Sequence, residues 1–402
     1  METTASDFVV ALDIGSHRAR CLIAEITDGS MTVIGRGEEP ARGVRRGEVV
    51  DIPSAGYAAH RALSAAEEQA GVEVQTLFLA VGSRHAAFFN NRACVGITRE
   101  ERTITARDVQ GVLAAARRVP AREDAVTVGS LVSSYAVDDV RHVREPEGMH
   151  GTRIEADVYI ITDARSTVDN MSSCVDGSKH EIEEFVFAPY AAGEAVLDDD
   201  GKKLGVAVID IGAGTTGIML YRDHTPVFTS VVPIGGDHIT SDIAVGMELG
   251  LADAERLKEE HATVEAARAD HSIAFERAAK AGTYCVESRR LHAVVDCRVR
   301  EILDVVRREL TGAGVRPSTI RVVLTGGTSR LPGIESMAAT ILRCPVRIGR
   351  PVLGGGASPM PPDMATAAGM LLVGMRARRR QMPETGPVGR AGKFLCWLRQ
   401  LF

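Results

Sequence analysis

The 402-residue chain has few features that would place it in several common classes. Its seven cysteines stand singly, with no CxxC pair and an odd total, which fits reduced thiols in a cytosolic protein better than a disulfide framework. Aromatics make up only 4 %, with a single Trp, so a base-stacking platform is not expected. The net charge is -6 and supplies no basic field for neutralising phosphodiester backbones, so no nucleic-acid partner is expected. No apolar run is long enough to span a bilayer, and the start, with Glu2 and Asp7 around a short apolar run, lacks a secretory pattern. What remains is an ordinary globular composition, 45 % hydrophobic and 25 % charged, too long for a single core.

One phrase occurs twice. The apolar run 8–12 ends in Asp13-Ile14-Gly15-Ser16-His17, and the run 206–209 ends in Asp210-Ile211-Gly212-Ala213-Gly214-Thr215-Thr216. Each is a β-branched strand that stops at Asp and turns through Gly and hydroxyl residues, which predicts two similar lobes facing one another. A third turn, Thr325-Gly326-Gly327-Thr328, follows another buried strand, and Gly235-Gly236 precedes a helix with Asp237 in its first turn. Glycine turns expose backbone N–H groups at close range, as a triphosphate needs. The two first turns are therefore expected to hold the phosphates of ATP. Gly326, Gly327 and Thr328 would pack against adenosine, and the helix after Gly235-Gly236 would favour phosphate through its dipole. Asp13 and Asp210 would converge on Mg2+ through its waters, because a carboxylate repels phosphate directly. Glu255 and Lys258, three apart on a helix, read either as a solvated ion pair or as ribose and adenine contacts, and spacing alone does not choose.

The remaining pattern gives a domain plan. Strands are expected at 8–14, 20–26, 31–37 and 77–81, with a helix at 55–70 between the last two. Residues 84–162 read as an inserted strand–helix–strand–strand subdomain, with its helix at 106–119. Helices at 164–175 and 189–197 return the chain to the first lobe (1–83 and 163–200). The second lobe covers 201–375, with a helix-rich excursion at about 237–310. Residues 376–390, basic and rich in Pro and Gly, read as a flexible linker. In the last segment, 391–402, Phe394, Trp397, Leu398 and Leu401 fall at i, i+3, i+4 and i+7. Leu395 and Phe402 widen that face and Lys393 and Arg399 flank it, which is the make-up of an interfacial membrane helix. The run 378–380, three arginines, would add attraction to an anionic membrane surface.

These turns, in this order, resemble the actin/Hsp70/sugar-kinase ATPase superfamily. Within it the chain is similar to the bacterial cell-division FtsA family over nearly its whole length. The resemblance is carried by 35–51, by the insert, by Val232-Pro233-Ile234-Gly235-Gly236, by 254–258, by 323–327 and by the amphipathic end. It implies an α/β, actin-like two-lobed fold that binds ATP with at most slow hydrolysis, and no residue that would position an attacking water is identified. It implies self-assembly into protofilaments, attachment of the tubulin-like FtsZ through its C-terminal peptide, and contact with later division proteins through the insert, at the cytoplasmic face of the membrane. On the same basis Glu255 and Lys258 become adenosine contacts, and Arg298 and Arg300 become FtsZ contacts. The alternatives are a PilM-like pilus or secretion adaptor and a small-molecule kinase. Three positions depart from the family pattern: Gly217 where relatives often carry Asp, a bulky His17 in the first turn, and Ala262 in place of a common Gly.

Overall fold

In a computed structural model, residues 7–27, 29–118, 124–176, 179–268, 272–276, 283–354 and 358–381 are described. The chain opens with an antiparallel meander, β1 (Asp7–Ile14), β2 (Arg18–Thr27) and β3 (Ser30–Pro40). A two-residue ribbon, β4 (Val44–Arg45) and β5 (Glu48–Val49), leads to α1 (Ile52–Ala70) and β6 (Thr76–Val81). Helix α1 has Asp51 as its N-cap, accepting from the Ser54 N–H, and ends at Gly71 in the left-handed region. Its alanine face lies so close to β3 that a Cβ on Gly37 would stand 1.7 Å from the Ala62 carbonyl oxygen, so only glycine fits there.

The insert comprises β7 (Ala87–Gly96), α2 (Ala106–Ala116), β8 (Ala125–Val137), β9 (Val140–Val143) and β10 (Arg153–Ala164), paired in the order β7-β10-β8-β9. It has its own core of Ile104, Val112, Ile154, Val158 and Ile160. The short β9 adds a strand to the expected strand–helix–strand–strand plan, and α2 stops at Ala116, short of Pro120. The insert touches the second lobe through an edge-on contact of Phe88 with Phe228, their ring centres 5.5 Å apart.

After α3 (Arg165–Ser173), strand β11 (Glu181–Phe187) completes a five-stranded sheet, β11-β6-β1-β2-β3, followed by α4 (Ala188–Val196) and the short α5 (Asp199–Leu204). The second meander, β12 (Val206–Ile211), β13 (Thr216–Arg222) and β14 (Thr225–Val232), is followed by α6 (Gly236–Gly246) and α7 (Leu251–His261). The hairpin β15 (Ser272–Glu276) and β16 (Thr283–Glu287) interrupts the stretch expected to be helix-rich, and α8 (Ser288–Gly312) follows it. The chain then runs through β17 (Arg321–Thr325), α9 (Ile334–Leu342), β18 (Val346–Ile348) and α10 (Ala365–Gln381), giving the second sheet the order β14-β13-β12-β17-β18.

Period-two alternation divides the faces of β12. Val206 and Val208 join a core with α4, α10 and the first sheet, whereas Ala207, Ile209 and Ile211 join one with α6 to α9. Helices α4 and α10 therefore lie between the two sheets. They approach closely enough that a Cβ on Gly369 would stand 1.7 Å from the Ala191 carbonyl oxygen. Residues 365–375, counted with the second lobe in the sequence, thus pack on the first. The expected linker begins later than 376, because α10 continues through Arg376–Gln381 in residues that favour helix and meets no Pro until 383. Arg376 pairs with the buried Glu194 of α4, and Arg378 lies 2.5 Å from Glu183 of β11, so Arg378 is committed to the protein surface rather than to lipid. The expected membrane residues, Lys393 to Phe402, and the remainder of the linker lie outside the described residues. Among the described residues no helix is long and apolar enough to cross a membrane.

Candidate functional site

The two repeated turns have the same local geometry. The N–H of Gly15 donates to the Arg18 carbonyl at 3.0 Å, and that of Gly212 donates to Thr215 at 2.9 Å. The turns face one another directly: a Cβ on Gly214 would stand 2.3 Å from the Ser16 hydroxyl oxygen and 2.8 Å from the Arg46 nitrogen. The third and fourth turns converge on the second. Gly212 O accepts from the Gly236 N–H at 3.0 Å and from the Thr328 hydroxyl at 3.1 Å, while Ala213 O accepts from the Asp237 N–H at 2.8 Å. Four glycine turns, far apart in sequence, thus form one junction.

This convergence also shows which donors are used. The first N–H groups of α6 are spent on Gly212 and Ala213, so the helix end does not offer them to an anion, contrary to the expectation from its dipole. The Thr216 hydroxyl donates to the Ile234 carbonyl at 2.8 Å and is likewise committed. By contrast, the N–H groups of Ser16, His17, Ala213 and Gly214 donate to no protein acceptor among the described residues. Of these residues only Gly214 is buried, and Ser16, His17 and Ala213 are part-exposed, so these N–H groups are free to face solvent or a ligand.

Beneath the turns lie the two carboxylates. Burial raises the Asp13 carboxyl, with the Arg20 charge pulling the other way. Burial also raises Asp210, from an ordinary 3.8 to about 6, and the neighbouring Asp13 charge adds to the rise. Against this, the Thr366 hydroxyl donates to Asp210 at 3.2 Å and Arg20 exerts an opposing field. Arg20 stands directly across the β1–β2 ladder from Asp13 and donates to Asp363 at 2.9 Å, tying β2 to the segment that enters α10. Two enclosed carboxyls that repel each other suit a cation, so the residues present fit the expected hydrated Mg2+.

Lys258 and Glu255 meet the same junction. Lys258 Nζ lies 2.7 Å from Glu255 Oε2, 2.8 Å from the Thr240 hydroxyl and 3.3 Å from the Gly236 carbonyl. Burial alone would raise the Glu255 carboxyl, but Lys258 and Thr240 together hold it below the usual range. The pair is thus an ordered part of the site wall, not a solvated ion pair. Gly326 and Gly327 sit above Asp210; Gly326 has φ 85° and leaves no room for a side chain, since a Cβ would stand 2.3 Å from Asp210 Oδ1. Beside this turn, a cavity of about 460 Å3 is lined by Arg330, Gly333, Arg350 and Pro361 among others. Arg298 and Arg300 lie away from the junction on α8. Arg298 is bidentate to Asp242 at 2.5 and 3.0 Å, and Arg300 is bidentate to Asp296 at 2.6 and 3.1 Å, so each would have to exchange a partner to receive a peptide.

Sequence reasoning passed over Arg20, Asp363 and Thr366. The signal for Arg20 was a charge seven residues after Asp13 and therefore on the facing strand of a tight meander, although β2 also carries Arg18 and Glu25. Asp363 lies just before the Ala-rich α10 and Thr366 in its first turn, where nothing in the local pattern marks them.

Two sheets of matching order, each with an Asp-Gly turn at the inner end of its first strand and with α4 and α10 between them, define an actin-like two-lobed protein. Solved structures of that architecture superpose on it. They include the PilM-PilN type IV pilus biogenesis complex, with a TM-score of 0.62 and 17 % identity, covering 91 % of this chain and 98 % of that one. MreB5 of Spiroplasma citri bound to ADP superposes with a TM-score of 0.53 and 13 % identity, covering 94 % and 99 %. Residues 207–369 match the family model described as cell division protein FtsA, and residues 83–162 match the SHS2 domain inserted in FtsA. Curated relatives include the cell division protein FtsA of Pseudomonas aeruginosa, 33 % identical over 374 residues that cover 92 % of this chain and 89 % of that protein. That of Escherichia coli K12 is 30 % identical, with full coverage of both. The chain belongs to the FtsA family of cell-division proteins.

Proposed function

We propose that this protein binds Mg-ATP between its lobes, assembles into filaments at the cytoplasmic face of the membrane, and tethers the FtsZ ring there through its C-terminal segment. The observation that carries the nucleotide reading is the meeting of the two repeated turns, with unspent N–H groups at Ser16, His17, Ala213 and Gly214 above the Asp13–Asp210 pair. Mg2+ would supply charge neutralisation between phosphate and carboxylates. Asp13 and Asp210 would hold its waters, while Gly326, Gly327, Thr328, Glu255 and Lys258 would border adenosine. The tether reading rests on the apolar face of 391–402. One such helix binds weakly, and filament assembly multiplies weak attachments into stable ones. FtsZ would reach the α8 region through Arg298 and Arg300, and later division proteins would meet the insert.

The test is co-sedimentation with anionic liposomes, with and without Mg-ATP, comparing the full chain with one ending at Gln381. That end point keeps the pairing of Arg376 with Glu194 and of Arg378 with Glu183, so the fold is left intact. The expected result is nucleotide-enhanced binding by the full chain and none by the shortened one. Equal binding by both would overturn the tether.

A further inference from the structure

The insert belongs by chain to the first lobe but also rests on the second. Period-two alternation gives its central strand β10 two faces. Ile154, Val158 and Ile160 turn into the insert's own core, whereas Tyr159 and Ile161 join the core that also holds Tyr221 and Val231 of the second lobe. Phe88 of β7 stacks on Tyr159, with ring centres 5.4 Å apart, and meets Phe228 of β14 edge-on. On the same strand the Thr225 hydroxyl donates to the Ser133 carbonyl of β8 at 3.3 Å. The insert is pinned where it joins the first lobe. The chain enters it at Ser83 and leaves it at Asp163, and this buried carboxylate accepts from the Ser83 N–H at 2.9 Å, the Ser83 hydroxyl at 2.6 Å and the Ala164 N–H at 2.8 Å. The tip of the β4–β5 ribbon stands beside the pin. A Cβ on Gly47 would lie 3.1 Å from the Gly82 carbonyl oxygen and 3.0 Å from Thr215 Cγ2 in the turn of the second lobe.

We infer that the insert is a brace between the lobes, and that parting its seat on β14 loosens the glycine turns at the cleft. The contacts form a closed ring. Thr215 leads into β13, which carries Tyr221 to the seat; the insert runs from the seat back to the Ser83–Asp163 pin; and the ribbon returns from the pin to Thr215. Close-packed elements shift as units rather than stretch, so a change at one link displaces the others. The seat is also built to part. The hydroxyls of Tyr159 and Tyr221 are both enclosed without a hydrogen-bond partner among the described residues. Enclosing such groups is unfavourable, so this contact separates more readily than an all-apolar one. A partner that binds the insert only with the seat parted would therefore loosen the turns, and a ligand that fixes the turns would oppose that partner by the same factor.

The inference does not depend on the nucleotide reading, because it is tested on the nucleotide-free full chain by hydrogen–deuterium exchange. F88A empties the seat from the insert's side and F228A from the side of the second lobe. Each is expected to speed exchange of the backbone amides at 13–18 and 210–217 by about fivefold or more, the size of an ordinary coupling between sites. F88L keeps an apolar group in the seat without risk to the fold, and is expected to give a smaller rise in the same segments. V140A, on the exposed far edge of the insert, is expected to change nothing at the turns. Exchange in α8, which lies outside the ring, is expected to stay as in the wild type. A rise confined to the insert and β14, or one shared equally by α8, would overturn the proposal, since the first means that the seat is only local packing and the second that the whole fold is weakened.

Discussion

The two copies of the strand–turn–strand unit agree in backbone and differ in charge. Both run as antiparallel meanders extended by two parallel strands, and both close the turn with the same glycine N–H bond. The difference lies one step across the ladder from the carboxylate. Asp13 faces Arg20, whereas Asp210 faces Gly217. The space beside Gly217 is filled by Pro189 of α4, whose Cγ would lie 2.8 Å from a Cβ added there. The first copy therefore carries its own cation and the second packs against an apolar ring. This accounts for the rise of Asp210 to about 6, where burial and the Asp13 charge outweigh the more distant Arg20. One backbone plan thus surrounds its two buried carboxylates with different neighbours, although burial raises both.

Removing the cation should have the largest effect. R20M leaves Asp363 without its 2.9 Å partner and withdraws the field that favours ionised Asp13 and Asp210. Breaking an enclosed pair from one side costs about 3–5 kcal/mol, measurable by urea denaturation at pH 7.5. The loss should shrink toward pH 5, because Asp210, raised to about 6, can then protonate and no longer needs the opposing charge. A pH-independent loss would mean that Arg20 serves packing alone.

Neutralising the second carboxylate should act in the opposite direction. For an acid raised from 3.8 to about 6, the folded state binds the proton more tightly than the unfolded chain. Its ionisation therefore costs no stability below pH about 4, costs progressively more as pH rises to about 6, and costs a constant amount above that. At about 1.4 kcal/mol per tenfold in proton affinity, the full cost is about 3 kcal/mol. D210N should raise the stability of the nucleotide-free protein by up to that amount at pH 7.5 and by little at pH 4, while losing Mg-dependent nucleotide binding. Denaturation at the two pH values, with a fluorescent-nucleotide titration, checks both halves. A D210N protein less stable than wild type at pH 7.5 would contradict the reading of a strained carboxylate pair.

How much of this was legible beforehand follows from the kind of signal involved. The turns, α1 and the first meander were readable because apolar runs ending in Asp-Ile-Gly and a helical run ending in Gly are local patterns. Strand β11 was missed because Glu181-Ile182-Glu183-Glu184 reads as a polar loop until pairing with β6 gives it a place in the sheet. The hairpin β15–β16 was hidden in a stretch with strong helical character on both sides, and α10 ran past the expected linker boundary because Arg and Gln favour helix as well as solvent. The convergence of the third and fourth turns on Gly212, and of the first on Gly214, could be anticipated only as a class of arrangement. That Arg20 and Gly217 occupy equivalent places depends on strand register, which a one-residue slip would have destroyed. The departure at Gly217 was visible in the sequence; its cause, the Pro189 ring, was not.

That cause gives the smallest and sharpest test. G217A adds one methyl group at a position where the backbone accepts any residue but the space does not, since the new Cβ would meet Pro189 Cγ at 2.8 Å and Cβ at 3.3 Å. Overpacking of this size costs about 1–3 kcal/mol, partly offset by about 0.4–1 kcal/mol from the stiffer unfolded chain. A net loss near 1 kcal/mol is expected at every pH, which separates it from the two charge variants. P189A removes the Cγ and keeps the Cβ, so in the double variant most of the clash disappears. The cycle should then show a favourable coupling of at least about 0.5 kcal/mol, as for residues in direct contact. Strict additivity would mean that Pro189 is not what keeps position 217 a glycine, and that the asymmetry between the two copies has another origin.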